Sequence, residues 1–560
     1  FDPQWQPLEQ LSLDLLFAND TLRMDSRGAM LGKAHAPAIT GWFPSLTEDG
    51  SLYINADVEG EGAAISDYLL HSGVKESVGA ALQQVQIRNP LKGDLQLAIP
   101  LNGDEVKVTG HVRLDGNRVT VASLGLPLEK VRGELFFSEE ETRFEKLDAE
   151  LWQQPLQLDY LGRNEKDEYQ VSLKGAGKWA SALATNWPAR WRELAQGAGS
   201  WRGKLDLAIA HNGRYHYQAS LGSDLQGIAL SLPEPYGKSV EGRQPLSILA
   251  EGNAKESRLR AEWQNGLRLE SLIDPATGRF TRFWLSNQDE SQYPFTPAAL
   301  SVNLAFSDLS LDQWQSWWDH LQDKEVSAQL SAAPDFFPSE RAVRFNAEHL
   351  TWQDQPWNKV ALELKQQAAA GQVTFNAREA TGAIQWQQGK PLQLDFSYLN
   401  WRTPEEEKQQ KPTPAPMPTL AEQQARLRAI PALDFTCQRC LWNKSNLGRV
   451  TLQARPSAKA DRLDIPRFSL NNGGSKLNGS GNWRLDGGQS LSSLRIALDT
   501  PSLERQLTEW GVDQGLTGTP AKGELSINWQ GPIYRLDKPT LQGNYRLTTE
   551  AGLLRRLDTP

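Results

Sequence analysis

The sequence predicts a mostly β fold: an elongated, twisted antiparallel sheet that curls into a groove and carries a few short amphipathic helices. Three observations predict this fold. Apolar and polar residues alternate along most of the 560-residue chain, glycine-containing loops separate the alternating stretches, and helical periodicity is confined to isolated segments. Each strand therefore has one apolar and one polar face, which is typical of antiparallel sheets.

The segment from Gly203 to Leu221 shows the hairpin that the chain repeats. A two-residue turn at Asn212-Gly213 would mix apolar and polar residues on both faces of this hairpin. A three-residue loop, His211-Asn212-Gly213, with its glycine in the left-handed conformation separates them. We therefore predict the second register, whose apolar face carries Leu205, Leu207, Ile209, Tyr215, Tyr217 and Ala219.

A similar loop, Gln264-Asn265-Gly266, predicts a second hairpin. Trp263 would pair with Leu267, and Ala261 with Leu269, on its apolar face. On the other face opposite charges would meet, with a contribution of roughly 0.2–1 kcal/mol for each pair. These pairs are Glu262 with Arg268 and Arg260 with Glu270, and the segments Ile384 to Gly389 and Ile527 to Gly531 repeat the pattern.

Helical interruptions are predicted near residues 64–85, 187–196 and 309–321. Their shortness favours brief plugs between runs of strands over the crossover helices of a parallel sheet. Residues 403–420 are rich in Pro, Glu and Lys and have little to bury, which predicts a mobile loop. It would separate the N-terminal part of the groove, residues 1–402, from a C-terminal part, residues 421–560.

Composition excludes several classes of function. The net charge of −9 argues against nucleic acid as a partner. The mean hydropathy of −0.53 and the lack of an apolar run near 18 residues argue against a membrane span within this sequence. The chain begins with strand-like sequence at Phe1, so we interpret it as a fragment of a longer protein whose membrane anchor lies elsewhere.

Motifs for catalysis are absent from the sequence. No HExxH, GxSxG, P-loop or dinucleotide fingerprint occurs, and the seven histidines are scattered. We therefore predict neither an enzyme nor a cofactor or metal site. The two cysteines, Cys437 and Cys440, lack the further ligands that zinc needs. They favour a small structural disulfide that closes a tight loop, which would place the chain in an oxidising compartment.

Several segments together carry a family resemblance. These are the helix and strand from Tyr68 to Leu97, the Gly-x-Gly-x-Trp and Gly-Glu-Leu-x-Ile-x-Trp elements at Gly175 to Trp179, Gly479 to Trp483 and Gly523 to Trp529, and the Cys437/Cys440 pair. The sequence resembles the AsmA-like family of Gram-negative envelope proteins, and within it the YhdP branch. The order of these elements, more than any single motif, carries the resemblance.

The resemblance implies a bridge-like lipid-transfer fold in the periplasm, as part of an inner-membrane-anchored protein. Its implied activity is to conduct phospholipids from the inner to the outer membrane. Phospholipids are then the expected partners, and both membranes are contacted through segments missing here. Other envelope proteins are further candidate partners. An acyl tail of about 16 carbons costs roughly 12 kcal/mol to expose to water, so a continuous apolar groove would have to cover it.

The residues that we predict to line a lipid groove share the apolar face of the alternating strands. They are Leu95, Leu97, Ile99, Leu156, Leu158, Leu205, Leu207, Ile209, Tyr215, Tyr217, Trp263, Leu267, Leu269, Phe345, Phe375, Ile384, Leu392, Leu394, Phe396, Leu525 and Ile527.

Two other functions fit the same pattern. One is a carbohydrate-binding or carbohydrate-active β-solenoid that uses exposed Trp and paired carboxylates. The other is a passive envelope scaffold whose strands pack face to face. The positions of Trp263 and Trp386 distinguish the first from lipid transfer: rings on the apolar face favour lipid, whereas rings on the outer face beside carboxylates favour sugar.

Overall fold

A computed structural model describes residues 6–45, 50–72, 85–102, 104, 106–121, 126–165, 168–183, 189–210, 212–264, 266–289, 299–321, 337–402, 417–443, 445–509, 516–517, 519–550 and 553–554. The chain divides into two compact units. The first unit contains Phe1–Phe283 and His320–Phe336, and the second contains Trp284–Asp319 and Phe337–Pro560.

Strands dominate both units. Up to residue 286 they are β1 Leu13–Ala18, β2 Thr21–Ser26, β3 Ala29–Leu31, β4 Ala34–Phe43, β5 Ser51–Glu61, β6 Val85–Arg88, β7 Pro90–Pro100, β8 Lys107–Val121, β9 Leu126–Ser138, β10 Glu141–Leu151, β11 Gln154–Asn164, β12 Glu168–Ala180, β13 Ala195–Ala210, β14 Tyr215–Ser223, β15 Ile228–Leu230, β16 Leu246–Asn253, β17 Ser257–Trp263, β18 Leu267–Asp274 and β19 Arg279–Ser286.

The later strands are β20 Leu300–Ser310, β21 Arg341–Trp352, β22 Gln355–Gln367, β23 Ala370–Asn376, β24 Ala380–Gln387, β25 Leu392–Trp401, β26 Leu433–Trp442, β27 Ser445–Pro456, β28 Arg462–Asn472, β29 Ser475–Asp486, β30 Gln489–Thr500, β31 Leu516–Thr517, β32 Ala521–Gln530, β33 Gln542–Thr549 and β34 Leu553–Leu554. The described α-helices are α1 Gly62–Leu70, α2 Ala189–Leu194, α3 Leu311–Leu321, α4 Leu420–Ala429 and α5 Leu503–Glu509, and 3₁₀ turns occupy Ser181–Leu183 and Lys538–Thr540.

In the first unit, the sheet is a run of antiparallel neighbours. Its order is β1, β2, β4, β5, β7, β8, β9, β10, β11, β12, β13, β14, β16, β17 and β18. The short strands β3, β6 and β15 pair beside β4, β8 and β13. The prediction of a mostly β chain with few helices is confirmed.

The hairpin registers predicted from the first two loops are confirmed. In β13 and β14, Leu207 pairs with Tyr217, and in β17 and β18, Trp263 pairs with Leu267. Gly213 and Gly266 have φ of +78° and +71°, in the left-handed region that glycine adopts without a steric penalty. The loop residues His211 and Asn265 lie outside the described residues.

The other two proposed copies of this hairpin differ from it. Ile384 pairs with Leu394, so the loop after Trp386 is longer than three residues, and β32 and β33 are separated by residues 531–541. In both places a proline, Pro391 or Pro532, follows shortly after the glycine. Proline has no N–H group to donate to a strand ladder, and its presence here is one difference from the first two hairpins.

The second unit contains two parallel pairs, where the sequence predicted only antiparallel ones. Strands β20 and β21 are parallel, as are β25 and β26, and the others from β21 to β33 pair antiparallel. Parallel neighbours need a long crossover connection. These connections contain α3 and α4, so the interpretation of the helix near 309–321 as a plug, and not as a crossover helix, is wrong.

The predicted division at residues 403–420 stays a prediction. Residues 403–416 lie outside the described residues, and so does the 73–84 part of the first predicted helical interruption. The described remainder of that interruption is α1. The boundary between the two compact units, at Phe283 and Trp284, falls at a different place in the chain.

Candidate functional site

The apolar faces of β5, β7 and β8 form the floor of a trough in the first unit. Because the strands are in register, Ile54, Leu97 and Val108 lie side by side across the sheet. Leu95 occupies the row beside them, next to Ala56 on one strand and Gly110 on the other. The alternation of these strands puts their polar residues, such as Gln96, on the opposite face.

Helix α1 lies over this floor as a roof. Its Tyr68 and Leu69 are buried against Leu97 and Val108, and the Tyr68 hydroxyl donates to the Gln6 carbonyl at 3.3 Å. Burial raises the pKa of Tyr68 above its usual value. The helix begins at Gly62, where a Cβ atom would come within 2.4 Å of the Ile87 carbonyl oxygen, so only glycine allows this close approach to β6.

The space between roof and floor is a cavity of about 980 Å³, at the upper end of the roughly 300–1,000 Å³ typical of ligand sites. Its lining includes Leu8 and Leu11, which precede β1, and Phe137 and Thr142 of β9 and β10, and it is mostly apolar, with Asp94 and His111 among the exceptions. Leu8 and Leu11 are 38% and 41% exposed. Part of the lining is therefore in contact with solvent, and we call this cavity the open trough.

Three of the predicted groove residues, Leu95, Leu97 and Ile99, line the open trough. The sequence prediction missed its roof, Tyr68 and Leu69. The signal was present, because a tyrosine, an isoleucine and two leucines lie in a short helix whose other residues are small or polar. What the sequence could not give was the direction in which this helix folds back over the sheet.

The strands from β9 to β14 continue the apolar face but fill it with their own side chains. A buried cluster includes Phe144, Leu147, Tyr160 and Tyr169, and we call this region the filled stretch. The predicted groove residues Leu156, Leu158 and Leu207 are buried inside it, and Ile209, Tyr215 and Tyr217 pack against it. Leu205 is half-buried on the same face, between Leu173 and Ala219 of the neighbouring strands.

Further along the first unit, the predicted residues Trp263, Leu267 and Leu269 are half-buried. The Trp263 ring stacks on Tyr236 with a centroid distance of 5.6 Å. This tyrosine belongs to the connection between β15 and β16, so the chain itself covers the ring.

In the second unit, the predicted residues Phe345, Phe375 and Phe396 pack against a buried cluster around Trp357. Trp386 pairs with Gly371, two residues along the strand from Ile384, and therefore lies on the same apolar face. A Cβ at Gly371 would come within 2.1 Å of the Trp386 ring, so the indole covers the glycine. The other predicted residues on this face, all half-buried, are Ile384, Leu392, Leu394, Leu525 and Ile527.

A second cavity, of about 910 Å³, lies in the second unit and differs in its lining. Arg344, Glu363 and Lys365 contribute to it together with several glutamines. Glu363 accepts ion pairs from Lys365 at 3.1 Å and from Arg344 at 3.7 Å. These three charges are thus paired with one another, and the remaining lining mixes polar side chains with apolar ones such as Val343 and Trp386.

Cys437 and Cys440 are joined by a disulfide with a Cα–Cα distance of 5.8 Å. The sequence analysis predicted that it closes a tight loop. Instead it lies within β26, where Cys437 pairs with Val450 and Cys440 with Gly448, so that the register shifts between the two cysteines. The bond thus spans a β-bulge, in which the two sulfurs come close because the one extra residue bends the strand.

Within the part of the chain that the structure describes, no group of His, Cys, Asp and Glu side chains is arranged to hold a metal ion. Among the same residues, no helix has the length and apolar character needed to cross a membrane.

Comparison with known proteins agrees with these features. The family model described as "YhdP protein" matches residues 1–560. The chain is also 24% identical over 562 residues to a protein of Escherichia coli (strain K12) named "Intermembrane phospholipid transporter YhdP", a match that covers 100% of this chain and 43% of the relative. The chain thus spans less than half the length of that relative. Because the family model covers every residue, as the resemblance predicted, the chain belongs to the YhdP family.

Proposed function

We propose that this chain binds the acyl tails of phospholipids in its open trough and forms part of a path that conducts phospholipids from the inner to the outer membrane. The single observation that carries the proposal is the 980 Å³ apolar cavity between α1 and the sheet. The name of the E. coli relative, a phospholipid transporter between membranes, supports the choice of ligand.

The physical reason for such a path is the cost of exposing a tail to water. At about 0.8 kcal/mol for each CH₂ group, a tail of about 16 carbons costs roughly 12 kcal/mol to expose. An apolar trough removes most of this cost, while the exposed part near Leu8 and Leu11 leaves the head group in water. The transfer makes and breaks no covalent bond, so it requires no catalytic group or cofactor.

The setting that we propose is the periplasm of a Gram-negative cell. There the chain would be one part of a longer, inner-membrane-anchored protein that reaches both membranes through segments outside this sequence. The disulfide between Cys437 and Cys440 supports an oxidising compartment.

The positions of two tryptophans bear on the choice between lipid and carbohydrate. Trp263 lies on the apolar face against Tyr236, which supports lipid, whereas Trp386 lies over Gly371 on the apolar face but also lines the second cavity with Glu363. A carbohydrate platform would present such rings to solvent beside carboxylates. The half-buried leucines of the second unit, such as Leu394, also support an apolar surface that the protein does not fill completely.

The test is the lipid content of the purified chain, measured by native mass spectrometry and by extraction. We expect phospholipid to co-purify, and Leu95→Asp to reduce its amount at least about tenfold, because a bound tail would remove water from the new carboxylate, and burying a charge in an apolar environment costs several kcal/mol. Gln96→Asp is the matched control, since it introduces the same carboxylate one residue away on the opposite face.

The two variants also separate lipid transfer from a passive scaffold. A chain that carries no phospholipid, or a Leu95→Asp variant that folds and carries as much as Gln96→Asp, would contradict the proposal.

A further inference from the structure

One row of residues runs across the strands from the open trough into the filled stretch. It contains Ala56, Leu95, Gly110, Phe137 and Thr142, each paired with the next on the neighbouring strand. Ala56 and Leu95 line the trough, and Gly110 follows them on β8. Phe137 is the first aromatic side chain that a tail extending along this row would meet.

Phe137 lies at the boundary between the two regions. It packs against the buried cluster of the open trough and also against that of the filled stretch. A Cβ at Gly110 would come within 2.5 Å of the Phe137 ring, so the ring lies over this glycine and extends towards Leu95. Together with Thr142, it ends the lining of the cavity.

Two tyrosines of the filled stretch pack next to this boundary. The hydroxyls of Tyr160 and Tyr169 lie 3.1 Å apart, and the Tyr169 hydroxyl lies over Gly162, which pairs with Thr142. A Cβ at Gly162 would come within 2.1 Å of the Tyr169 hydroxyl oxygen, so this glycine provides the space for the pair. All three hydroxyl-bearing side chains are less than a tenth exposed.

The Tyr160 ring is fixed on its other side. It stacks on Phe144 with a centroid distance of 4.9 Å and an interplanar angle of 16°. A wall whose rings are stacked and whose hydroxyls are paired with one another resists displacement more than flexible aliphatic side chains would.

Given the proposed function, we infer that Phe137 and Thr142, held in place by Tyr160 and Tyr169, end the open trough and set the length of acyl tail that it covers. Phe137 and Thr142 are the specificity-determining residues, and the tyrosines are positioning residues. A tail shorter than the trough gains buried surface with each added methylene, whereas a longer tail must leave its extra methylenes uncovered.

The test measures the affinity of the full chain for phosphatidylethanolamine with two identical saturated tails of increasing length. Native mass spectrometry gives the bound fraction at each length. Up to the limiting length, we expect the affinity to rise about fourfold per covered methylene, the equivalent of ~0.8 kcal/mol. Beyond that length the affinity stops rising, and the position of this plateau is the quantity to compare between variants.

Two variants are expected to shift the limiting tail length in opposite directions. Phe137→Leu shortens the side chain and shifts the plateau to longer tails, whereas Phe137→Trp enlarges it and shifts the plateau to shorter ones. Phe136→Leu is the matched control, because Phe136 is the adjacent residue on the same strand and faces the other way, against His111. Tyr169→Phe keeps the ring and removes the hydroxyl that bonds Tyr160, so the affinity should level off over a wider range of tail lengths around the same centre.

Plateaus at the same length in wild type, Phe137→Leu and Phe137→Trp would overturn the inference and leave the proposed function intact. An absence of lipid binding by the wild-type chain at every length would overturn both. A shift caused equally by Phe136→Leu would also overturn the inference, because the effect would then be one of general packing.

Discussion

The open trough and the filled stretch are built from the same kind of strand in the same unit, yet one leaves space for a ligand and the other does not. Leu95 in the first and Leu158 in the second both point to the apolar face of an antiparallel strand. Leu95 is half-buried and lines a cavity, whereas Leu158 is 4% exposed within a packed cluster. Alternation therefore determines which face is apolar but does not determine whether that face is open.

The difference has two causes in the structure. The ladders from β5 to β7 and from β7 to β8 are continuous, whereas the pairings of β9 and β10 shift register near Lys130 and Lys146. Both lysines have φ of +52°. Such bulges bend and twist a strand, and the adjacent Val131 and Leu147 are fully buried. The second cause is size, since Phe144 and the two tyrosines fill the curved face.

The comparison is tested most strongly by placing a charge in each region. Leu207→Asp puts a carboxylate inside the filled stretch, where the wild-type leucine is 6% exposed, and we expect it to lower the free energy of unfolding by at least about 4 kcal/mol. Leu95→Asp should lower it far less, because water reaches the open trough. Urea denaturation followed by circular dichroism measures both. Equal losses would show that the two regions do not differ in packing.

Truncation in the filled stretch gives the next largest effect. Leu147→Ala removes a side chain with no exposed surface, so we expect a loss of about 3 kcal/mol, within the range of buried leucine truncations. Leu95→Ala should cost about 1 kcal/mol, because part of its side chain already borders a cavity. The midpoints of urea unfolding at constant slope measure the two losses, and a larger loss for Leu95→Ala would reverse the comparison.

The sequence predicted most of the local structure because local rules determine it. The left-handed glycines Gly213 and Gly266 and the period of two were sufficient to fix two hairpin registers. The parallel pair of β25 and β26 was not predictable in this way. It depends on where the chain returns after α4, and no residue near Leu433 encodes that choice.

The candidate site was only partly predictable for a similar reason. Leu95, Leu97 and Ile99 were identified by alternation, but so were Leu156 and Leu158, which lie in the filled stretch. Whether a leucine of the apolar face lines the cavity or is buried depends on the curvature near Lys130 and Lys146 and on the roof that α1 provides. Both are tertiary features, whereas the sequence pattern reports only on the faces of single strands.

Alkaline pH should affect the filled stretch through its tyrosine pair. Burial raises the pKa of both Tyr160 and Tyr169 above the usual value. Above about pH 10, the unfolded chain ionises these tyrosines while the folded chain keeps them neutral. Their contribution is therefore complete below pH 10 and is lost as the pH rises further, by up to about 1.4 kcal/mol per pH unit for each tyrosine.

The measurement for this pair is the unfolding free energy between pH 9 and pH 11. Relative to wild type, the double variant Tyr160→Phe/Tyr169→Phe should lose stability less steeply over that interval. Tyr68→Phe, in the roof of the open trough, is measured over the same pH interval for comparison. Its tyrosine is single, and burial raises its pKa. An identical slope for the wild-type chain and the double variant would contradict the prediction.

The smallest effects are expected on the polar face, where the two regions resemble each other. Lys92 and Glu59 form an ion pair of 2.7 Å beneath the open trough, and Arg118 and Glu129 form one of 2.8 Å where β8 pairs with β9. All four side chains are well exposed, so water and salt screen them. Glu59→Gln and Glu129→Gln should each change the free energy of unfolding by less than about 1 kcal/mol, with no change in bound lipid. A loss of lipid in Glu59→Gln alone would mean that the polar face also contributes to binding, and the difference between the two regions would then no longer be a property of the apolar face.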